Sequence, residues 1–184
     1  KQQLEEGIEF HKTRYKRVSN YLAYFQAYTN TYDSVGVLKE LYNEALEVNE
    51  VMGLVIGTRP DCISDEILDM LKELSRKAYI VVEYGIESCY NKPLEAVNRG
   101  HSFEDSVDAI MRTSKMGIRT GGHMIVGFPG ETREEILAEA DILSDLPLHS
   151  LKFHQLQIVK GTAMSLDYQA NPLKYKQFAL KEYL

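Results

Sequence analysis

Apolar residues along the chain follow two rhythms. Short runs rich in Val, Ile, Tyr and Phe predict strands at Tyr21–Ala27, Val51–Gly57, Tyr79–Gly85, Arg119–Gly127 and Leu151–Val159, because branched and aromatic side chains suit a pleated surface. Longer amphipathic stretches between them predict helices at Val35–Val48, Asp65–Lys77, Phe103–Lys115 and Arg133–Leu143. Three of those helices have marked starts. Ser64, Ser102 and Thr132 each precede an acidic first turn, where the hydroxyl caps free N–H groups and the carboxylates complement the helix dipole. Gly117 is placed to stop the third helix. Strand starts recur roughly every 30 to 40 residues, the length of a strand–helix unit, so the strands should lie parallel with right-handed crossovers.

The ends of the chain modify this picture. Residues 4–17 predict an opening helix with no strand before it, and the chain stops inside another helical stretch, Lys174–Leu184. A closed eight-stranded barrel takes about 250 residues, and five strands cannot close one. The expectation is an α/β fold, a partial (β/α) TIM-like barrel of parallel strands with its first strand missing. Residues 1–184 would form one such domain, truncated at both ends.

Composition narrows function mainly by exclusion. With 44% hydrophobic and 26% charged residues, the chain can bury one globular core. No apolar run nears the roughly 20 residues of a membrane span, and residues 1–6 lack the basic-then-apolar build of a secretory signal. A cytoplasmic protein without a membrane partner is expected. The net charge of −6 argues against a broad nucleic-acid surface on this segment, since such binding rests on clustered Lys and Arg. No DNA partner is expected, while an RNA held by another part of the protein stays open. Cys62 and Cys89 fit neither a disulfide framework nor zinc spacing and read as small buried side chains, so no metal ligand is assigned in this chain.

Candidate chemistry gathers at strand ends. Val82, Tyr84 and Ile86 share one strand face while Glu83, Gly85 and Glu87 share the other, which aims two carboxylates at the barrel centre. Burying them without partners is costly, and this favours a polar ligand. The plainer alternative is a structural ion pair between Glu87 and Arg99. Gly127-Phe128-Pro129-Gly130-Glu131-Thr132 joins a strand to a capped helix; its glycines let backbone approach a flat ligand and Pro129 stiffens the turn. Taken alone, that motif also suits an ordinary tight loop or a phosphate cradle at a helix N-terminus. His123 shares strand parity with Ile125 and Gly127. Gln26, Asn30, Arg59, His154, Gln157 and Lys160 lie near predicted strand ends and are candidate substrate contacts, suited to an anionic or heavily hydrogen-bonded substrate. Each has a plain alternative: Asn30 as a turn cap, Arg59 paired with Asp61, Lys160 as a solvated cation.

In chain order, Glu83–Ser88 (E-Y-G-I-E-S), Ala96–His101 (A-V-N-R-G-H), His123–Thr132 (H-M-I-V-G-F-P-G-E-T) and His154–Thr162 (H-Q-L-Q-I-V-K-G-T) resemble the radical S-adenosylmethionine superfamily. The spacing is similar to oxygen-independent coproporphyrinogen oxidase and the elongator catalytic subunit. Tyr24–Tyr32 (Y-F-Q-A-Y-T-N-T-Y) and Gly57–Cys62 (G-T-R-P-D-C) look more like the YhcC/YtqA-type Fe–S oxidoreductases. The resemblance implies S-adenosylmethionine and a [4Fe–4S] cluster as cofactors, the cluster held by a C-x-x-x-C-x-x-C loop expected upstream of residue 1. It implies an enzyme that reductively cleaves S-adenosylmethionine to a 5′-deoxyadenosyl radical, which abstracts hydrogen from a substrate such as a tRNA base. The reductant would be a flavodoxin or ferredoxin, and this piece alone would be inactive. By the same resemblance Glu87, with Ser88 beside it, falls at the ribose or methionyl part of the cofactor and Arg99 at the methionine carboxylate. His123 and the backbone at Ile125 fall at the sugar and adenine, while Gly127 and Gly130 leave room for the base. One departure stands out: Gln26-Ala27-Tyr28 replaces the G-G-E segment whose carbonyls hold the methionine amino group in the family. Two other classes fit parts of the pattern. One is a phosphate-binding barrel enzyme of aldolase or isomerase type, using the G-F-P-G-E-T loop and Lys160. The other is a non-catalytic binding module.

Overall fold

The structure is a computed structural model that describes residues 1–175, 178, 179 and 181. Five strands form one all-parallel sheet in the order β1 (Tyr21–Phe25), β2 (Val51–Thr58), β3 (Tyr79–Glu87), β4 (Arg119–Val126) and β5 (Ser150–Gln155). Helix α1 (Gln2–Arg14) precedes the sheet. Helices α2 (Val35–Leu46), α3 (Asp65–Ser75), α5 (Phe103–Lys115) and α6 (Arg133–Ser144) fill the crossovers, and α4 (Asn91–Ala96) and α7 (Ala163–Ala170) are short additions the sequence reading did not expect. The caps act as read: the hydroxyls of Ser64, Ser102 and Thr132 accept from the N–H three residues on, and the last two complete capping boxes.

Strand parity sorts the sheet into two unlike faces. Leu54, Ile56, Val82, Tyr84, Ile86 and Met124 are fully buried beneath the helices and make the core. The opposite face carries Tyr24, Glu83, Gly85, His123 and Lys152. That face is concave. Four strand spacings of about 4.8 Å would hold β1 and β5 some 19 Å apart in a flat sheet, further than a tyrosine and a lysine reach together. Yet Lys152 Nζ on β5 lies 3.2 Å from the Tyr24 hydroxyl on β1 and 4.5 Å from the centre of its ring. The sheet is therefore a curled half barrel, the α/β partial TIM-like architecture expected.

Element ends differ from expectation for local reasons. The first strand stops at Phe25 because the Asn30 side chain donates to the carbonyls of Phe25 (3.0 Å) and Gly57 (2.8 Å), closing the sheet edge with a turn. The fifth ends at Gln155: its only strand partner among the described residues, β4, ends opposite at Val126, and the Leu156 N–H still donates to the Val126 carbonyl. Conversely β3 runs on to Glu87 through a bulge at Ile86. Of the helix expected at Lys174–Leu184, Lys174 closes a short 3-10 turn, Pro172–Lys174, while Tyr175, Phe178 and Ala179 are not helical and most of the remainder lies outside the described residues. Among the described residues, no helix is long and apolar enough to cross a membrane.

Candidate active site

The concave face carries glycines where bulk would fill it. Gly57, Glu83 and Gly121 lie in register on β2, β3 and β4, so the Glu83 side chain rests over two residues that have none; a Cβ at Gly121 would stand 3.0 Å from Glu83 Cγ. Into the space left fold three donors from three strands. Tyr24 hydroxyl (2.8 Å), Lys152 Nζ (2.8 Å) and His123 Nε2 (2.9 Å) all meet Oε2 of Glu83. Burial pushes the Glu83 carboxyl up, but the hydrogen bonds from Lys152, His123 and Tyr24 outweigh it and hold the group below its ordinary value.

Arg99 meets the Glu87 carboxylate at 2.9 Å and donates to the Gly85 carbonyl at 3.1 Å. The ion pair weighed in the sequence is thus formed, but it is incomplete. Burial raises the Glu87 carboxyl despite the guanidinium beside it, and Arg99 Nε is buried with no hydrogen-bond partner.

Both groups line a single hollow of about 390 Å³, walled also by Gln26, Tyr28 and Arg59. Its size falls in the range of small-molecule sites. A second hollow of about 360 Å³ opens between α1 and β1, over Ile8, Leu22 and Ala45, with the ion pair of the Lys1 amine and Glu44 in its lining. The acid, guanidinium and imidazole singled out in the sequence therefore share one opening.

The other sequence candidates are placed as follows. Arg59 pairs with Asp61 (2.6 Å) and donates to the Gly100 carbonyl, with the pair at the rim of the hollow. Asn30 spends its amide as a brace between strands and does not open to the hollow. His154 lies on β5 with its ring 5.5 Å from that of His123, and Gln157 and Lys160 are exposed on the segment after β5, off the lining. Ile125 is half-buried on β4, while Gly127 (φ 96°) and Gly130 (φ 85°) form the turn above it, outside the lining.

Ser88 is fully buried, and its hydroxyl sits between Glu139 (3.0 Å) and Glu131 (3.3 Å). Glu131 also accepts the N–H groups of Gly127 (3.1 Å) and Phe128 (2.8 Å). A carboxylate of the chain itself thus occupies the anion position of the G-F-P-G-E-T loop, which weighs against the phosphate-cradle alternative. Burial raises Glu131 to about 7, and the neighbouring Glu139, itself raised by burial, adds to the shift.

A folded acid with a raised pKa keeps a proton the unfolded chain has lost, so stability falls as pH rises from the ordinary glutamate value to about 7. Glu83 acts in the opposite sense and only in acid, where protonation would remove its stabilising contacts. The expected result is a melting temperature lower near pH 8 than near pH 5.5, with the difference reduced in Glu131→Gln. Equal pH sensitivity in both proteins would remove this account of the loop.

Tyr24, Lys152, Glu131 and Glu139 were missed as site residues. For Lys152 a signal existed: Leu151 and Phe153 alternate with Lys152 and His154, the parity that marks a polar inner face.

Residues 2–143 match the radical SAM superfamily. The chain belongs to that superfamily. YhcC of Escherichia coli (strain K12) is 38% identical over 158 residues, 85% of this chain and 51% of YhcC. YtqA of Bacillus subtilis (strain 168) is 37% identical over 155 residues, 84% of this chain and 48% of YtqA. A tRNA uridine(34) acetyltransferase of Methanocaldococcus infernus is 32% identical over 134 residues, 66% of this chain and 24% of that protein. The archaeal Methanocaldococcus infernus Elp3 with an N-terminal deletion superposes with a TM-score of 0.78 over 95% of this chain and 45% of its own, at 20% identity, and so shares the fold. The chain spans about half the length of YhcC and YtqA.

Radical SAM proteins work with S-adenosylmethionine and a [4Fe–4S] cluster, and these are the cofactors of this chain's family. The hollow suits the first. Arg99 offers a buried, unpartnered N–H to a carboxylate, and Glu87 an acceptor to hydroxyl or amino groups. For the cluster, Cys62 is half-buried and Cys89 buried. Among the described residues no three His, Cys, Asp or Glu side chains are grouped to hold a metal ion.

Proposed function

We propose that this chain is the S-adenosylmethionine-binding wall of a radical SAM enzyme whose cluster ligands lie upstream of residue 1. The observation that carries the reading is Arg99, which lines the same hollow as His123, pairs with Glu87, donates to the Gly85 carbonyl and keeps a buried guanidinium N–H unsatisfied. In this reading Arg99 takes the methionine carboxylate, and Glu87 the ribose or methionyl edge. His123 and the Ile125 backbone face the sugar and adenine, and the Gly127–Gly130 turn borders the base. Ser88 acts from beneath, by tying the Glu87 loop to that turn through Glu131. With a reductant such as flavodoxin or ferredoxin, the bound cofactors supply a 5′-deoxyadenosyl radical. The task of the chain is to fix the cofactor and keep water from it.

Gln26 and Arg59 line the opening and His154 stands beside His123 at it, while Gln157 and Lys160 would approach it from the segment after β5. A tRNA base is the proposed substrate class, supported by the likeness to a tRNA uridine(34) acetyltransferase, with the RNA body held outside this acidic segment, in the cytoplasm. The test is anaerobic reduction of the full-length, cluster-loaded protein with S-adenosylmethionine, scoring 5′-deoxyadenosine by chromatography. Formation is expected, with loss in Arg99→Ala; a reduced, cluster-loaded protein that yields none would overturn the reading.

A further inference from the structure

The four side chains at the floor of the hollow have their proton directions fixed by geometry. Lys152 can only donate, and it does so to Glu83 Oε2 and to the Tyr24 oxygen. The single phenolic proton of Tyr24 goes to Glu83 at 2.8 Å, since His123 Nε2 lies at 3.5 Å. His123 Nε2 stands 2.9 Å from the same carboxylate oxygen. Two lone pairs facing at that distance would repel, so Nε2 carries hydrogen. In the neutral ring, Nδ1 then holds the lone pair. No partner for Nδ1 is found among the described residues, and the ring lines the hollow.

We propose that Glu83 is a positioning residue that locks His123 in its Nε2–H tautomer, making Nδ1 an acceptor that selects a ligand hydroxyl. Resting on the reading of His123 as facing the sugar, this makes the Glu83–His123 pair a determinant of ribose recognition. Lys152 and Tyr24 serve the lock. A protonated Glu83 would present its own O–H to the imidazole and invert the tautomer, and two donors on Oε2 keep that proton away. A ligand lacking the hydroxyl leaves Nδ1 without a donor in a partly dry site, which gives discrimination where a bulky wall would give none.

Nitrogen-15 spectra of the full-length, cluster-free protein with labelled histidine test the lock without any activity. At a pH where the ring is neutral, wild-type His123 should show a pyrrole-type Nε2 and a pyridine-type Nδ1, assigned against His123→Asn. Glu83→Ala should show averaged tautomers. By calorimetry, S-adenosylmethionine analogues lacking one or the other ribose hydroxyl should include one that binds about tenfold more weakly than S-adenosylmethionine, and that gap should close in Glu83→Ala. A wild-type Nδ1–H tautomer overturns the proposal, and this outcome is read on the wild-type protein, His123→Asn serving only to assign the signals. An unchanged tautomer in Glu83→Ala overturns it as well. The correct tautomer with no discrimination at either hydroxyl overturns the ribose assignment and with it the reading of His123 as facing the sugar, while Glu83 keeps its positioning role.

Discussion

Gly85→Ala should cost the protein its grip on S-adenosylmethionine while leaving it folded. A methyl group at this position runs into Arg99 Nη2 and stands 2.5 Å from Glu87 Oε1. Both obstacles are the far ends of long side chains, so they swing away and the strand keeps its course. The guanidinium then no longer lies across β3 beside the hollow, paired with Glu87. Charge-assisted hydrogen bonds to an anion are worth about 1.5 to 3 kcal/mol, so the dissociation constant should rise roughly ten- to a hundredfold. Calorimetric titration of the full-length protein measures this, beside circular dichroism and a melting curve. Wild-type affinity in a folded Gly85→Ala protein would mean that the Arg99–Glu87 pair does not hold the ligand.

The largest stability loss is expected from Tyr42→Ala. This α2 side chain is fully buried, packs edge-on against Phe25 with ring centres 5.3 Å apart, and donates its hydroxyl to the Asn30 carbonyl at 2.5 Å. Removing the ring should destabilise by about 3 to 5 kcal/mol, as large aromatic truncations do. Tyr42→Phe should cost only about 1 kcal/mol, the worth of one hydrogen bond. The milder change has a further effect, because Asn30 pins the loop carrying Tyr28, whose exposed ring borders the hollow in a left-handed backbone conformation (φ 61°). Denaturant titration gives the energies. Hydrogen exchange at residues 28–31 should quicken in Tyr42→Phe, and protection equal to wild type would show that the loop does not depend on this contact.

What could be read from the sequence was decided by local contrast. On β3, Val82, Tyr84 and Ile86 differ so sharply from Glu83, Gly85 and Glu87 that the two faces separate without coordinates, and the capped helix starts are similarly plain. The ion pair of Glu87 with Arg99 was open because the two residues lie within one strand–turn–helix unit. Features that depend on distant chain were closed to such reading. Lys152 finds Glu83 across 69 residues, and Glu139 finds Ser88 across 51. The bulge at Ile86 leaves no mark in composition. Asn30 shows the same limit: a polar residue after a strand suits a rim contact and a brace equally, and only the positions of the Phe25 and Gly57 carbonyls decide for the brace.

The link between Tyr24 and Lys152 also bears on assembly. Curvature in this sheet is imposed from within, by side chains of its outermost strands meeting through one acid, and does not wait for a cylinder to close. Any segment that adds by main-chain pairing along the outer margin of β1 or β5 meets an arc already drawn, and has only to extend it.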